Sequence, residues 1–235
     1  MKLAIFDIDG TLTDTNSIDD DCFLEAFRDA LALTGINTNW HEYPHTTDSG
    51  IVLNVFQERY GREPLAEEIN KLQQHFFGLM KERCSLDATL FAEIKGAAAA
   101  FNRLRKEDAW AVAIATGCWR ESAVLKLKAA QIAYDEIPAG FAEDAISREE
   151  ILRTATQKSL AQYGQSEFEK IVSIGDGLWD VRAAARLNLP FVGVGVGEKK
   201  ALLHQAGARH VLEDFTDYAL LIKYLDEAEP PSVME

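Results

Sequence analysis

Apolar positions in this chain fall into short runs. Residues 2–6 (KLAIF), 110–115 (WAVAIA), 171–174 (IVSI), 191–194 (FVGV) and, more weakly, 210–212 (HVL) are too short for helices and are bounded by Gly or Asp. Runs of this kind predict strands buried on both faces of a parallel sheet. Residues 134–137, in YDEIPAG, are read as a further strand. Between these runs, apolar residues recur at helical spacing over 97–106, 121–130 and 147–163. Strand and helix alternating in this way predicts an α/β fold, a doubly wound, mostly parallel Rossmann-like sheet.

The interval between the first run and the second is far longer than one crossover helix requires. It carries its own helical patterns at 18–33, 51–60, 65–83 and 89–95, interrupted by TGINTNWHEYPHTTDSG and GREP. A connection of that length is expected to be an inserted helical subdomain, placed at 16–90, with the α/β core formed by 1–15 and 91–228. Within SIDDD, Ser17 is expected to cap a helix whose first turn holds Asp19, Asp20 and Asp21. Residues 229–235 are expected to form a frayed tail.

Composition narrows the function. The chain has 235 residues, 47% of them hydrophobic, enough for a large core. Its formal net charge of −14 repels nucleic acid and anionic membranes and favours a cation-dependent site. The three cysteines, Cys22, Cys84 and Cys118, are odd in number and widely spaced, which argues against a disulfide framework or a cysteine-rich zinc site. With no signal peptide pattern and no apolar stretch of membrane-spanning length, a soluble cytoplasmic protein is expected.

In an open α/β sheet, ligands bind at the carboxyl ends of the strands. Asp7 and Asp9 follow the first run, Thr116 and Gly117 the second, and Asp176 and Asp180 the third, in GDGLWD. Four carboxylates facing one crevice repel each other and lose solvation, so a cation belongs among them. Oxygen ligands without His or Cys favour Mg²⁺, which binds few carboxylates and coordinates substrate phosphate. A carboxylate beside such an ion can attack phosphorus.

DIDGTLTDT, IATG and SIGDGLWD, in this order and at these separations, resemble the motifs of the haloacid dehalogenase superfamily over about residues 1–225. The helical insert is similar to the mobile cap of the branch containing phosphoglycolate phosphatase and β-phosphoglucomutase. GFAEDAISREEI and HQAGARHVLEDF also resemble stretches of that branch. The resemblance implies that Asp7 is the nucleophile and a Mg²⁺ ligand. It implies that Asp9 is the acid and base, with its backbone carbonyl on the metal. By the same resemblance Thr116 and the Gly117 amide hold the phosphate, Asp176 ligates the metal, and Asp180 lies in the metal shell. Superfamily dehalogenases lack an acid two residues after the nucleophile, so Asp9 points to phosphoryl transfer.

Many relatives place a lysine where this chain has AISREEI. Ser147 and Glu150 have capping-box spacing, which starts a helix at Arg148 near the crevice rim. Arg148 is therefore assigned to bridge nucleophile and phosphate. Its rival, Lys158, is ten residues on, about 15 Å along a helix. Plainer roles are expected elsewhere. Asp14 is read as a turn residue, Trp119 as packing, and His41, His45 and His75 as surface or packing residues; Asp180 suits a helix N-terminus equally well. GVGVG at 193–197 lacks the dinucleotide fingerprint, because Glu198 follows it.

The expected activity is Mg²⁺-dependent hydrolysis of a small phosphorylated metabolite through an aspartyl-phosphate. A phosphosugar mutase and a non-catalytic phosphate-binding protein are the alternatives. Nothing in the sequence separates a monomer from a homodimer.

Overall fold

The computed structural model describes residues 1–232. In chain order the elements are β1 (Lys2–Phe6), α1 (Asn16–Leu31), α2 (Asp48–Tyr60), α3 (Ala66–Leu86), α4 (Ala97–Leu104), β2 (Trp110–Ala115), α5 (Arg120–Ala129), β3 (Ala139–Gly140), α6 (Arg148–Gln162), β4 (Ile171–Gly175), α7 (Leu178–Arg186), β5 (Phe191–Val194), α8 (Gly197–Gln205), β6 (His210–Leu212) and α9 (Tyr218–Glu227). The six strands form one parallel sheet in the order β3-β2-β1-β4-β5-β6. This is the α/β architecture expected from the short apolar runs.

Helices cover both faces, which is why the central strands are continuously apolar. Ala4, Phe6, Val112 and Ile114 point to one side, against α4, α5 and α9 through Phe101, Leu127 and Leu221. Leu3, Ile5, Ala111 and Ala113 point to the other, against α6 and α7 through Ile151, Ala155 and Ala183. Strand β1 lies between β2 and β4, with Phe6 opposite Ile114 and Ile174. The residues that follow these three strands therefore emerge side by side.

Helices α1, α2 and α3 pack around a separate apolar cluster that includes Phe23, Phe27, Val55, Phe56, Phe76 and Met80. Trp119, from the sheet domain, seats its ring edge-on against Phe23 and Phe76 at 5.7 and 5.9 Å. The two chain crossings into this helical insert lie side by side. Asp14 N donates to Ala92 O at 2.9 Å and Ile94 N to Leu12 O at 3.0 Å.

Four local expectations need correction. Residues 134–137 form a turn, not a strand: Ile137 N bonds to Tyr134 O at 3.0 Å and Glu136 has φ +63°. The edge strand β3 begins only after Pro138. At 89–95 there is one 3-10 turn, Ala88–Phe91, started by Asp87; beyond it the backbone runs extended alongside residues 12–14. Helix α1 starts at Asn16, so Ser17 lies inside its first turn and does not cap it. The preceding Thr15 caps nothing either, because its hydroxyl contacts Asp9 and Thr13. The expected tail is tied down over its first part: Phe191 N bonds to Glu229 O and Ser232 N to Gly207 O. Its last residues, 233–235, lie outside the described residues.

Candidate active site

Strand β1 ends at Phe6, and Asp7 continues its pairing with β4 by donating its amide to Ile174 O at 2.9 Å. The Asp7 side chain is buried. Asp176 leaves β4 beside it, and Asp180 stands in the first turn of α7, where its Oδ2 accepts from Gly177 N at 3.0 Å. Asp7, Asp176 and Asp180 each offer a carboxylate oxygen within 4.8 Å of the other two. Their approach requires Gly10, at φ +69°, because a Cβ there would overlap the Asp176 carboxylate.

Positive charge reaches this triad from two sides. Arg148, the first residue of α6, places Nη1 2.8 Å from Asp180 Oδ1 and 3.2 Å from Asp7 Oδ2. Ser147 caps this helix by accepting from Glu150 N at 3.3 Å, which aims Arg148 at the crevice. Its Nε donates to Thr46 O of the insert at 3.2 Å. Lys199 of α8 lies 2.5 Å from Asp176 Oδ2, which also accepts from Asn16 at 3.2 Å. Lys158 is elsewhere, donating to Ala139 O and to Asp144.

Two buried oxygens, Asp7 Oδ1 and Asp176 Oδ1, have no hydrogen-bond partner. Burial raises the Asp7 carboxyl above the usual range, although Arg148 opposes it. Burial likewise pushes Asp176 up to about 6, against Lys199, and Asp180 up to about 8, against Arg148. A set of three oxygen donors, two of them unsatisfied, with surplus negative charge is the environment that suits a hard divalent cation.

Asp9 belongs to a different group. Its carboxylate accepts from Lys126 at 2.8–2.9 Å, Thr15 at 2.5 Å and Cys118 at 2.7 Å. Lys126 is fully buried on α5 and also contacts Asp19 of α1. Burial works to raise the Asp9 pKa, but the Lys126 charge, with hydrogen bonds from Cys118, Lys126 and Thr15, outweighs it and holds Asp9 below the usual carboxylate range. Burial pushes Asp19 up to about 7 and Asp48, nearby on α2, well above its ordinary value. The crevice carboxylates are thus divided: Asp7, Asp176 and Asp180 on one side, the Asp9 side chain with Asp19 and Cys118 on the other.

Thr116 is buried at the end of β2, where its hydroxyl accepts from Cys118 N at 3.2 Å. Gly117 lets the insert approach. A Cβ at this position would meet Thr46 O and Arg148 Nη2 at 2.9 Å, and Gly117 O accepts from Asp48 N at 2.8 Å. A cavity of roughly 400 Å³ opens between insert and sheet, lined by Asp7, Asp9, Gly117, Arg148 and Asp176. Trp119 is a packing residue and His41 an exposed one that stacks on Trp179 at 5.3 Å, both as read from the sequence; His41 also lines this cavity.

Sequence reasoning missed Lys126, Lys199, Asn16, Asp19 and Asp48. A signal existed for Lys126: it shares the buried face of α5 with Ser122, Ala123 and Leu127, a place where a lysine must find counter-charge. Lys199 and Asn16 carried no such mark.

Acids at adjoining strand ends of a parallel α/β sheet form the site, and the comparison with known families supplies its class. Residues 1–188 match the family model described as haloacid dehalogenase-like hydrolase, and the chain belongs to that family and is an enzyme of the hydrolase class. Among solved structures it is similar to a hydrolase from Pseudomonas syringae, with 25% identity, 97% of this chain and 99% of that one covered, and a TM-score of 0.72. CbbY from Rhodobacter sphaeroides in complex with phosphate shares the fold at 20% identity, 95% and 98% coverage and a TM-score of 0.68. A predicted phosphoglycolate phosphatase from Haemophilus somnus does so at 15% identity, 94% and 98% coverage and a TM-score of 0.59. No curated protein is a significant match. Among the described residues no helix is long and apolar enough to cross a membrane.

Proposed function

We propose that the protein is a Mg²⁺-dependent phosphatase that hydrolyses a small phosphate monoester through an aspartyl-phosphate on Asp7. The observation that carries this reading is the grouping of Asp7 with Asp176, Asp180 and Arg148 at the adjoining ends of β1 and β4, in a chain of the hydrolase family. CbbY, which shares the fold, was crystallised with phosphate, in keeping with a phosphorylated ligand.

Asp7, Asp176 and Asp180 are the side chains that would hold Mg²⁺, together with the Asp9 carbonyl. The ion would offset the charge of carboxylates and phosphate so that Asp7 can approach phosphorus. Asp7 attacks, the bond from phosphorus to the ester oxygen breaks, and the departing oxygen takes a proton from Asp9. Water then attacks the aspartyl-phosphate and gives its proton back to Asp9, which releases phosphate and regenerates Asp7. Thr116, the Gly117 amide and Arg148 bind the phosphoryl oxygens, with Arg148 offering a fork to two of them. The Lys126 contact holds Asp9 as a carboxylate, the form needed for the water step. Delivery of a proton to the leaving group therefore requires this contact to loosen, which makes the junction of insert and core part of the cycle. The helical insert, residues 16–90, acts as the cap that closes on the substrate and excludes water.

The test is turnover of a phosphomonoester panel with and without Mg²⁺, alongside Asp7→Asn. Wild type should release phosphate only with the ion, and Asp7→Asn should fall to background while its circular dichroism stays unchanged. Steady turnover by folded Asp7→Asn would refute the assignment of the nucleophile.

A further inference from the structure

The cavity residues outside the Asp7, Asp176 and Asp180 triad bear on what the phosphate is attached to. Among the described residues, the lysines and arginines lining the cavity are Arg148 and Lys199. Both are already committed to the strand-end carboxylates, Arg148 to Asp7 and Asp180, Lys199 to Asp176. They stand where the transferred phosphoryl group would bind. The insert brings no lysine or arginine to the cavity. It brings Asp19, Asp20 and Asp48, with the indole of Trp40, whose Nε1 donates to Asp20 Oδ1 at 3.0 Å. Fully buried Lys126 pairs with Asp9 and Asp19 and so offsets the charge of Asp19, which leaves Asp20 and Asp48 as the insert carboxyls it does not pair with. Trp179 of α7 also lines the cavity, stacked on His41 of the insert at 5.3 Å, and its buried Nε1 has no partner.

A second phosphate or a carboxylate on the substrate would lie against Asp20 and Asp48, and among the described lining residues of the insert the one basic side chain that could meet it is the His41 imidazole. An ammonium or hydroxyl group would instead donate to these carboxyl groups, and an apolar face would rest on the indoles. We propose that the alcohol released at this site carries no negative charge: it is a hydroxyl- or ammonium-bearing group, and neither a carboxylate nor a second phosphate. The proposal rests on the phosphatase reading of Asp7 and narrows it.

The experiment compares three two-carbon monophosphates of similar size, 2-aminoethyl phosphate, 2-hydroxyethyl phosphate and carboxymethyl phosphate, with p-nitrophenyl phosphate as an independent reporter of phosphatase activity. All four are assayed at pH 8. The first two substrates should exceed the carboxylate in kcat/KM by about tenfold or more, equivalent to about 1.4 kcal/mol. The preference for the ammonium should shrink as salt is raised. Asp20→Lys should shift the ratio of aminoethyl to carboxymethyl turnover toward the carboxylate by about tenfold. If that variant does not fold, the wild-type ratio decides alone. Equal or faster turnover of carboxymethyl phosphate, with p-nitrophenyl phosphate active, overturns the proposal and leaves the phosphatase reading standing. Failure of the folded, Mg²⁺-supplied protein on all four compounds overturns both.

Discussion

Replacing Lys126 by methionine tests the most heavily buried charge among the described residues. The lysine is 0% exposed, and its Nζ lies 2.8 Å from Asp9 Oδ1 and in contact with Asp19. At 2.8 Å and an effective dielectric constant of about 20, the attraction to Asp9 alone is about 6 kcal/mol. Methionine returns part of this by removing the cost of burying an ammonium. The expected loss at pH 8 is about 3–5 kcal/mol, the range for breaking a buried pair from one side. The loss should depend on pH in a definite direction. With Lys126 present, the folded-state pKa of Asp9 is depressed, so its contribution to stability is present above the unfolded value and is lost as pH falls through the folded one. Asp19 behaves oppositely. Its carboxyl, raised to about 7, binds a proton on folding, and stability declines as pH rises from about 4 to about 7. Without the lysine, Asp9, Asp19 and Asp48 all hold protons to higher pH, so the variant should approach wild type near pH 5 and fall furthest behind at pH 8. Urea unfolding followed by circular dichroism at pH 5, 6.5 and 8 measures this. A deficit under about 1 kcal/mol at pH 8, below even the low end for a broken buried pair, or one that does not change with pH, would refute the ionic reading of this cluster.

Two further outcomes follow from the triad around Asp7. Metal-free Asp176→Asn should match or exceed wild type in melting temperature at pH 8, because a buried carboxylate whose pKa is raised to about 6 is removed. The same variant should lose the rise in melting temperature that Mg²⁺ gives wild type, and an equal rise in both proteins would exclude Asp176 as a ligand. Gly10→Ala places a side chain at φ +69° against the Asp176 carboxylate, and should cost about 1–3 kcal/mol while weakening Mg²⁺ binding in calorimetric titration; unchanged Mg²⁺ affinity would show that the carboxylate does not depend on this close approach.

Much of the architecture is legible from local pattern. Runs such as WAVAIA are apolar at every position because both faces of β2 are covered, and each acid of interest follows such a run because strand ends are where a buried backbone returns to polar surroundings. Helix α6 is legible to the residue, since Ser147 bonds to Glu150 N, and its first turn delivers Arg148 to Asp7. Misreadings arose where short local signals were overridden. Tyr134 and Ile137 are apolar enough for a strand, but the left-handed residue at Glu136 turns the chain first. Ser17 resembles a cap, but α1 begins one residue earlier, with the Thr15 hydroxyl engaged by Asp9.

Taken alone, the sequence determined the sheet, the family motifs and the presence of several carboxylates at neighbouring strand ends, because burial and strand termination are written in the spacing of nearby residues. Only the tertiary structure decided how those carboxylates divide. Asp7 faces Arg148 and Asp176, while Asp9, two residues away, turns to Lys126. The distinction depends on which side chains α5 and the insert bring to opposite sides of one strand end. That is a matter of packing between segments more than a hundred residues apart, and no local period records it.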